Sequence, residues 1–331
     1  MEGKKIIKPN SEIIVVPYTN ADAVVWDEFL AFAPMATFLH TRRYLSYHGD
    51  RFQDVSLLIK DSKKNKLVGL FLAAVDPDNR KRIVSHPGIT YGGILHQGHL
   101  QGMEMLEVMA GVRDYYAQAG FEVLQYKAVP YIFSRMPAGD DLYALFRLGA
   151  TPYRYDLSCA IDLANRPETS QRRRRSLKKA LKSGVQIREG VEYAEQLWKV
   201  LKDNLTRKYG LRPVHTVGEI QHLYSLFPDH VQFVVGMLHV EVVAGVVLYK
   251  KFPVVHAQYT ASNLMGYQVC ALDLVFEYCI DLARNESYRY FSFGVSTEKG
   301  GHYLNTGLYQ FKTEFGAGGV VHEFYELRLG M

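Results

Sequence analysis

The chain has 331 residues, of which 48% are apolar and 22% charged, a balance typical of a soluble protein with one large or two average domains. Its three cysteines, Cys159, Cys270 and Cys279, form no CxxC or Cys/His cluster, which argues against a disulfide framework and a zinc site. The net charge of +5 is local, because seven cations fall between Arg172 and Lys182.

The N-terminus lacks an apolar stretch of signal-peptide length, and no apolar window approaches the length of a membrane span. We therefore expect a cytoplasmic protein without a transmembrane segment. No G-x-S-x-G, P-loop or G-x-G-x-x-G motif occurs, which argues against a serine hydrolase of that kind and against the common nucleotide-binding folds.

Helix and strand patterns alternate through the first half of the chain. Apolar spacing predicts a helix over residues 21–33, and alternation around a turn at Lys63–Asn65 predicts a β-hairpin. Further helices are predicted over residues 103–118 and from Asp140 or Asp141, which would serve as a cap, each followed by a strand. The order of elements repeats after residue 165, which indicates two fused copies of one α/β domain.

Glycines are dense in the segment "SHPGITYGG". Such density is required where the backbone takes positive φ or approaches a ligand closely, although a β-bulge with turns would explain it equally well. The candidate acceptor-site residues here are Ser85, His86, Tyr91 and Gly92. His40, Arg42 and Arg43, upstream, could face a ligand, but surface exposure explains a short polar segment more simply.

The second half opens with a basic helix, capped by Thr169 or Ser170 and ending at Ser183–Gly184. Arg174, Lys178 and Lys182 stack on one side at a spacing of four, where like charges repel. A polyanionic partner such as a phosphate backbone, a nucleotide or an anionic membrane surface would relieve that repulsion, and the alternative is a solvated helix without a specific role.

The stretch 254–319 organises the second half. An apolar strand, a polar break at Gly266 and a helix of about five turns are followed by a second strand at Tyr288–Phe293, a glycine-rich loop and a short helix ending near Gly316. A loop that opens a helix directs unpaired N–H groups and the positive end of the helix dipole at a gap, which suits a phosphate. The candidate donor-binding residues are Asn263, Gly266, Gln268, Ala271, Arg174 and Lys178. Gly266 could equally do no more than turn the chain.

Lys312 lies on the short helix, one step from the face formed by Leu308, Phe311 and Phe315. An ammonium at the rim of a cleft there could stabilise an oxyanion, whereas a lysine that only extends to solvent is the structural alternative. Tyr259 and Ser262, at the end of the preceding strand, could orient an acyl group through their hydroxyls.

Three segments, "AQYTAS", "YFSFGVS" and above all "GLYQFKTEFGAG", resemble the Fem-type aminoacyltransferases, a branch of the GNAT acyltransferases. The basic helix and the "TYGG" element are also similar to that family. The resemblance implies an α/β fold of two tandem GNAT-like domains with mixed, twisted sheets flanked by helices, over residues 1–165 and 166–331. It also implies that Lys312 is the lysine that stabilises the transition state.

The resemblance implies a donor that is not bound permanently, either acyl-CoA or an aminoacyl-tRNA, and an amine acceptor such as a cell-envelope precursor. The loop "NLMGYQVCA" departs from the GNAT pyrophosphate pattern, because it lacks an initial basic residue and a second close glycine, and this weakens the case for acetyl-CoA. The competing hypothesis is a non-catalytic module of the same fold whose basic helix docks on tRNA or, peripherally, on a membrane.

Overall fold

The structure, a computed structural model, describes residues 12–330. The first eleven residues of the predicted N-terminal domain and residue 331 lie outside the described residues. Contacts divide the chain into two compact units, one running to Tyr155 and resuming at His322, the other spanning Asp156–Val321. The predicted domain boundaries, 1–165 and 166–331, differ from these units and remain a prediction.

Over the described residues, the first unit mixes short strands with three α-helices of about two to four turns and a fourth of about one turn. Its elements in chain order are β1 Ile13–Pro17, α1 Ala23–Ala31, α2 Arg42–Leu45, β2 Leu57–Asp61, β3 Lys66–Phe71, β4 Ala74–Asp76, β5 Asn79–Val84, β6 Ile94–His96, α3 Met103–Gln118, β7 Val123–Lys127 and α4 Asp140–Arg147. The next strand, β8 at Thr151–Asp162, carries the chain into the second unit.

Two sheets form the first unit. One is antiparallel, in the order β1-β2-β3-β6, and includes the predicted hairpin, which is thereby confirmed. In the other, β5 lies parallel to β7, and β7 pairs on its far side with Phe324–Arg328 near the end of the chain. The apolar residues of α3 recur every three or four positions, so one stripe of that helix is buried in the core, at Met105, Val108, Met109, Val112 and Tyr116.

The second unit alternates longer elements. Its elements in chain order are α5 Gln171–Lys182, β9 Gln186–Glu189, α6 Ala194–Tyr209, α7 Val217–Leu226, β10 Val231–Leu238, β11 Glu241–Lys251, β12 Val254–Ser262, α8 Leu264–Val269, α9 Ala271–Asn285, β13 Tyr290–Val295, β14 Thr297–Glu298, β15 Tyr303–Leu304, α10 Thr306–Thr313 and β16 Gly318–Arg328, whose end belongs to the first unit.

The main sheet of the second unit runs in the order β8-β13-β12-β11-β10-β9. Neighbouring strands are antiparallel except β12 and β13, which are parallel. Successive strand residues face opposite sides, so Val234 enters the core with α9 while Phe233 contacts Trp198 of α6 and Tyr224 of α7. Helices therefore cover both faces of this sheet, as the resemblance implied.

Helix boundaries follow the capping residues. Ser170, one of the two predicted caps, is the N-cap of α5, and its hydroxyl accepts a hydrogen bond from the Arg173 amide at 3.2 Å. The predicted cap of α4 is wrong, because Gly139 is the N-cap and Asp141 instead accepts from the Tyr126 hydroxyl at 2.6 Å. The predicted loop over residues 264–271 is also wrong in part, because Asn263 caps the six-residue helix α8 there.

Candidate active site

The strands β12 and β13 pair only at their beginnings. Val254–His256 lie beside Tyr290–Ser292, and in the described chain no further pairing joins the two strands. An extra residue, Gln258, bulges β12 just beyond the last pair, and β13 has a corresponding irregularity before Gly294, whose φ is 74°. The two strands therefore separate beyond this point, and the gap between them is called the strand fork below.

Lys312 directs its ammonium to the strand fork. Nζ donates to the carbonyl oxygens of Gly294 at 2.9 Å and Val295 at 2.6 Å, and the residue is only 5% exposed. Gly294 lies against the other strand, since a Cβ on it would be 3.8 Å from the Ala257 oxygen. The alternative that Lys312 extends to solvent is therefore excluded. It is also buried more deeply than the predicted position at a rim.

Burial lowers the pKa of Lys312 to about 8 from its ordinary value of 10.5. The group is therefore largely charged at neutral pH. An ammonium has three N–H donors, and the two carbonyls use two of them. Among the described residues, no hydrogen-bond acceptor is found for the third.

The helix that carries Lys312 is rotated slightly from the orientation that the sequence pattern indicated. Phe315 is fully buried and Phe311 packs partly against the core, but Leu308 is exposed. Because Leu308 is turned outward, Lys312 takes an inward position on α10.

The two predicted hydroxyls have different surroundings. Ser262 is buried, and its hydroxyl is 3.4 Å from the carbonyl oxygen of Val243 in β11. Tyr259, beyond the last paired residues of β12, forms a hydrogen bond between its hydroxyl and Nδ1 of His215. Sequence patterns did not single out His215, which comes from an irregular segment more than forty residues earlier. The contact therefore depends on the tertiary fold.

A second histidine at the strand fork was also missed. His256 lies in the last paired position of β12, and its Nδ1 is 3.1 Å from the Ser292 hydroxyl on β13. Its place in the strand "VVHAQY" was a usable signal, because strand alternation puts it on the face opposite Val255 and Ala257.

The predicted donor-binding residues occupy the turn from β12 into α9. Asn263 accepts the Gly266 amide at 2.8 Å, and a Cβ on Gly266 would overlap the carbonyl oxygen of Val243, so only glycine fits this close approach. Gln268 is exposed, and Ala271 is the buried first residue of α9. The donor-binding role of these residues remains a prediction.

The basic helix α5 divides into paired and exposed cations. Arg173 is buried and bridges Asp273 at 2.5 Å and Glu314 at 3.0 Å, and Arg172 joins Glu314 at 2.8 Å. Arg174 reaches only the exposed Glu168, at 3.1 Å. Among the described residues, no ion pair involves the exposed cations that complete the helix, Arg175, Lys178, Lys179 and Lys182.

In the first unit, a cavity of about 560 Å³ lies among α1, α2 and the loop after β5. Its size is in the range of small-molecule sites. Its wall combines charged, aromatic and imidazole side chains, principally Tyr18, Asp27, Arg42, His48, Phe52, Asp54 and His86. The cavity is called the α1–α2 cavity below.

His86 lines the α1–α2 cavity, whereas Ser85, Tyr91 and Gly92 are buried outside its wall. Burial lowers the pKa of His86 to about 3, so its imidazole is neutral. Its backbone is held by Lys127, whose Nζ donates to the carbonyl oxygens of His86 at 3.0 Å and Ile89 at 2.9 Å. Lys127 therefore fixes the backbone of the glycine-rich segment through these hydrogen bonds.

The interpretation of Arg42 as a surface residue is wrong. It is 8% exposed, its guanidinium lies 3.4 Å from the centre of the Tyr18 ring and 3.7 Å from that of Trp26, and it forms an ion pair with Asp54. His40 is fully buried, and burial lowers its pKa to about 4. Only Arg43 of these three residues is exposed, and it also lines the α1–α2 cavity.

Within residues 12–330, no group of three or more His, Cys, Asp or Glu side chains is arranged to hold a metal ion. Over the same residues, none of the helices has both the length and the apolar character that crossing a membrane requires.

Solved structures share this fold over nearly the whole chain. The chain is similar to FemX (TM-score 0.66, 11% identity, 96% of this chain and 97% of FemX). It is also similar to the C-terminal domain of a putative lysylphosphatidylglycerol synthetase from Agrobacterium fabrum (0.61, 10%, 93% of each). A tandem GNAT protein from the clavulanic acid biosynthesis pathway aligns over 97% of this chain and 99% of its own (0.54, 10%).

No protein-family model and no curated protein matches the sequence. The similarity is therefore visible in the structure alone. The chain has the Fem-like tandem GNAT fold that the sequence motifs predicted.

Proposed function

We propose that the protein transfers an acyl or aminoacyl group from a phosphate-bearing carrier to an amine. The observation that carries this proposal is the ammonium of Lys312, which is buried at the strand fork and has one N–H beyond the two that the carbonyl oxygens accept. Removing an ammonium from water costs several kcal/mol. The buried Lys127 directs its ammonium to three carbonyl oxygens, which suits a structural role, whereas Lys312 has two such acceptors and keeps one N–H that a non-catalytic module would not need. A transferase gains an electrostatic group that is already in place when negative charge develops.

In the proposed reaction, the amine nitrogen attacks the carbonyl carbon of the bound ester or thioester and forms a C–N bond. The electron pair of the carbonyl moves onto oxygen, and the third N–H of Lys312 donates to that oxyanion. The pair then returns, the bond to the carrier breaks, and the proton lost by the amine balances the one the carrier gains. Positioning of the amine supplies much of the remaining rate enhancement.

The donor class is tested by binding and turnover together. Acetyl-CoA, longer acyl-CoAs, and bulk tRNA in charged and uncharged form are added in turn while the thermal unfolding midpoint is measured. Release of thiol or loss of the aminoacyl ester is then measured with glycinamide, lysine and glucosamine as trial amines. Transfer with any donor supports the proposal. Stabilisation by tRNA whether or not it is charged, without any turnover, would instead favour the non-catalytic module.

The exposed cations of α5 are proposed to contact the phosphates of the carrier. Replacing Arg174 and Lys178 with alanine should weaken tRNA or acyl-CoA binding by about tenfold and reduce the dependence of log Kd on log salt by about 1.5 for a nucleic acid. The matched control is Lys199→Ala with Lys202→Ala, two exposed lysines of α6. Binding measured across a salt series decides the question, and equal losses in both pairs would contradict a specific role for α5.

The α1–α2 cavity is proposed to hold the acceptor. Val24 lines it, while the neighbouring exposed Val25 does not. Val24→Trp should therefore raise KM about tenfold for whichever trial amine supports transfer, because the larger side chain would occupy part of the cavity. KM for the donor should stay unchanged. Val25→Trp should change neither constant. A similar effect of both tryptophans would remove the cavity from the acceptor site.

A further inference from the structure

The hydroxyl of Tyr259 has a fixed partner on the side of the sheet that α6 covers. Tyr259 pairs with Val247 of β11 and lies in β12 beyond the last residue that pairs with β13 in the described chain. Its hydroxyl is hydrogen-bonded to Nδ1 of His215. Tyr259 follows Ala257 across the bulge at Gln258, and Ala257 is the residue whose oxygen adjoins the lysine-bound Gly294.

His215 is held in place from three directions. The indole N–H of Trp198 donates to its carbonyl oxygen at 2.9 Å, and its ring stands nearly perpendicular to that of Tyr259, with an angle of 87°. The next residue, Thr216, is the N-cap of α7, and its hydroxyl accepts the Glu219 amide. An irregular segment is thus anchored so that one imidazole nitrogen meets one phenol.

The other hydroxyls near the strand fork are less suited to move a proton. Ser262 is buried against a backbone carbonyl, and Ser292 is engaged by His256 within the paired part of the strands. Tyr259 is half-buried and lies where the strands have separated. Tyr259 therefore combines an imidazole partner with a position where the two strands are no longer paired.

We propose that His215 is a positioning residue that directs the Tyr259 hydroxyl for proton transfer during acyl transfer. This inference rests on the proposed function. With its proton on Nε2, the His215 imidazole accepts from the Tyr259 hydroxyl through Nδ1. The attacking amine, once bonded to the carbonyl carbon, passes a proton to the Tyr259 oxygen as the phenolic proton moves to Nδ1. When the bond to the carrier breaks, the same two transfers run in reverse and protonate the departing atom.

The test compares two amides at position 215. The side-chain oxygen of asparagine can occupy the place of Nδ1, whereas that of glutamine reaches the place of Nε2. We expect His215→Asn to keep kcat within about threefold of wild type, while His215→Gln and Tyr259→Phe each lower it about 100-fold, a common size for lost proton transfer. KM for the donor should stay unchanged in all three variants. His222→Gln, an exposed histidine of α7, is the control.

Thermal midpoints show whether each variant folds. If His215→Gln does not fold, His215→Asn and Tyr259→Phe still test the same hydrogen bond from its two ends. The inference is overturned if Tyr259→Phe keeps wild-type kcat, or if His215→Asn loses as much as His215→Gln while both remain folded. If the wild type transfers the group and His215→Gln has the same kcat, only this inference fails. If the wild type transfers no group to any trial amine, the proposed function and the inference both fail.

Discussion

Lys312→Met should lower kcat for acyl transfer by about 100-fold or more, the effect of removing one preorganised donor from an oxyanion site. Methionine keeps most of the length and apolar volume of the lysine stem, so the core around Phe315 should stay filled. The ammonium that neutralises the developing charge is lost. Turnover under saturating donor and amine is the measurement, and Lys202→Met, at an exposed position of α6, is the control.

Folding must be separated from chemistry in this variant. The carbonyl groups of Gly294 and Val295 lose their donor, and an unsatisfied buried acceptor costs about 1–3 kcal/mol. Removing a buried charge recovers part of that cost. We therefore expect a modest change in the unfolding midpoint beside a large change in kcat. A kcat within about threefold of wild type, less than about 0.7 kcal/mol in barrier, would exclude an oxyanion role.

The pH dependence of the same lysine gives a second measurement with opposite signs for rate and stability. The pKa is about 8 in the folded protein and 10.5 ordinarily. Between these values the unfolded chain binds more protons, so the contribution of Lys312 to stability rises with pH across that window and is lost as pH falls toward 8. The ammonium required for catalysis disappears over the same window, so kcat should fall as pH rises through about 8.

The titration of Lys127 also contributes to the pH dependence of stability. Burial lowers its pKa to about 8 as well, from 10.5, so it adds a slope of the same sign in the same window. The stability curve of Lys312→Met should therefore be flatter than that of wild type but not flat. Lys127 has no part in the proposed reaction, so its titration should not contribute to the alkaline fall in kcat.

Much of the fold could be predicted because local signals agreed with tertiary packing. The helix over residues 103–118 and the cap at Ser170 each depend on signals within a few residues of chain, and the structure places both as predicted. Lys312 was found from its place in the motif "GLYQFKTEFGAG", although its depth of burial was not predicted.

The parts that sequence could not supply depend on contacts between distant segments. His215 reaches Tyr259 because the segment after α6 returns to β12. Arg42 is buried because the rings of Tyr18 and Trp26 enclose it. The basic helix is the sharpest case. Arg173 looks like its neighbours in the run of four arginines, but it faces two carboxylates from α9 and the end of α10.

Arg173→Leu should lower the free energy of unfolding by about 3 kcal/mol, because it leaves buried charge without a partner. Asp273 is 6% exposed, and burial already raises its pKa against the opposing effect of Arg173. Without the guanidinium, that carboxylate must either stay charged in the core or take up a proton. Glu314 retains Arg172, so its share of the loss should be smaller.

Urea unfolding of a set of variants measures this contribution. Arg175→Leu, on the same helix but exposed and without an ion pair in the described chain, should change the free energy of unfolding by less than about 0.5 kcal/mol. Arg173→Leu combined with Asp273→Leu should recover part of the loss, because replacing both partners of a buried pair leaves no isolated charge. If Arg173→Leu proves as mild as Arg175→Leu, the buried ion pairs do not hold α5 against α9. In that case the ion pairs of Arg173 would no longer set it apart from the other cations of α5 when contacts to the carrier phosphates are assigned.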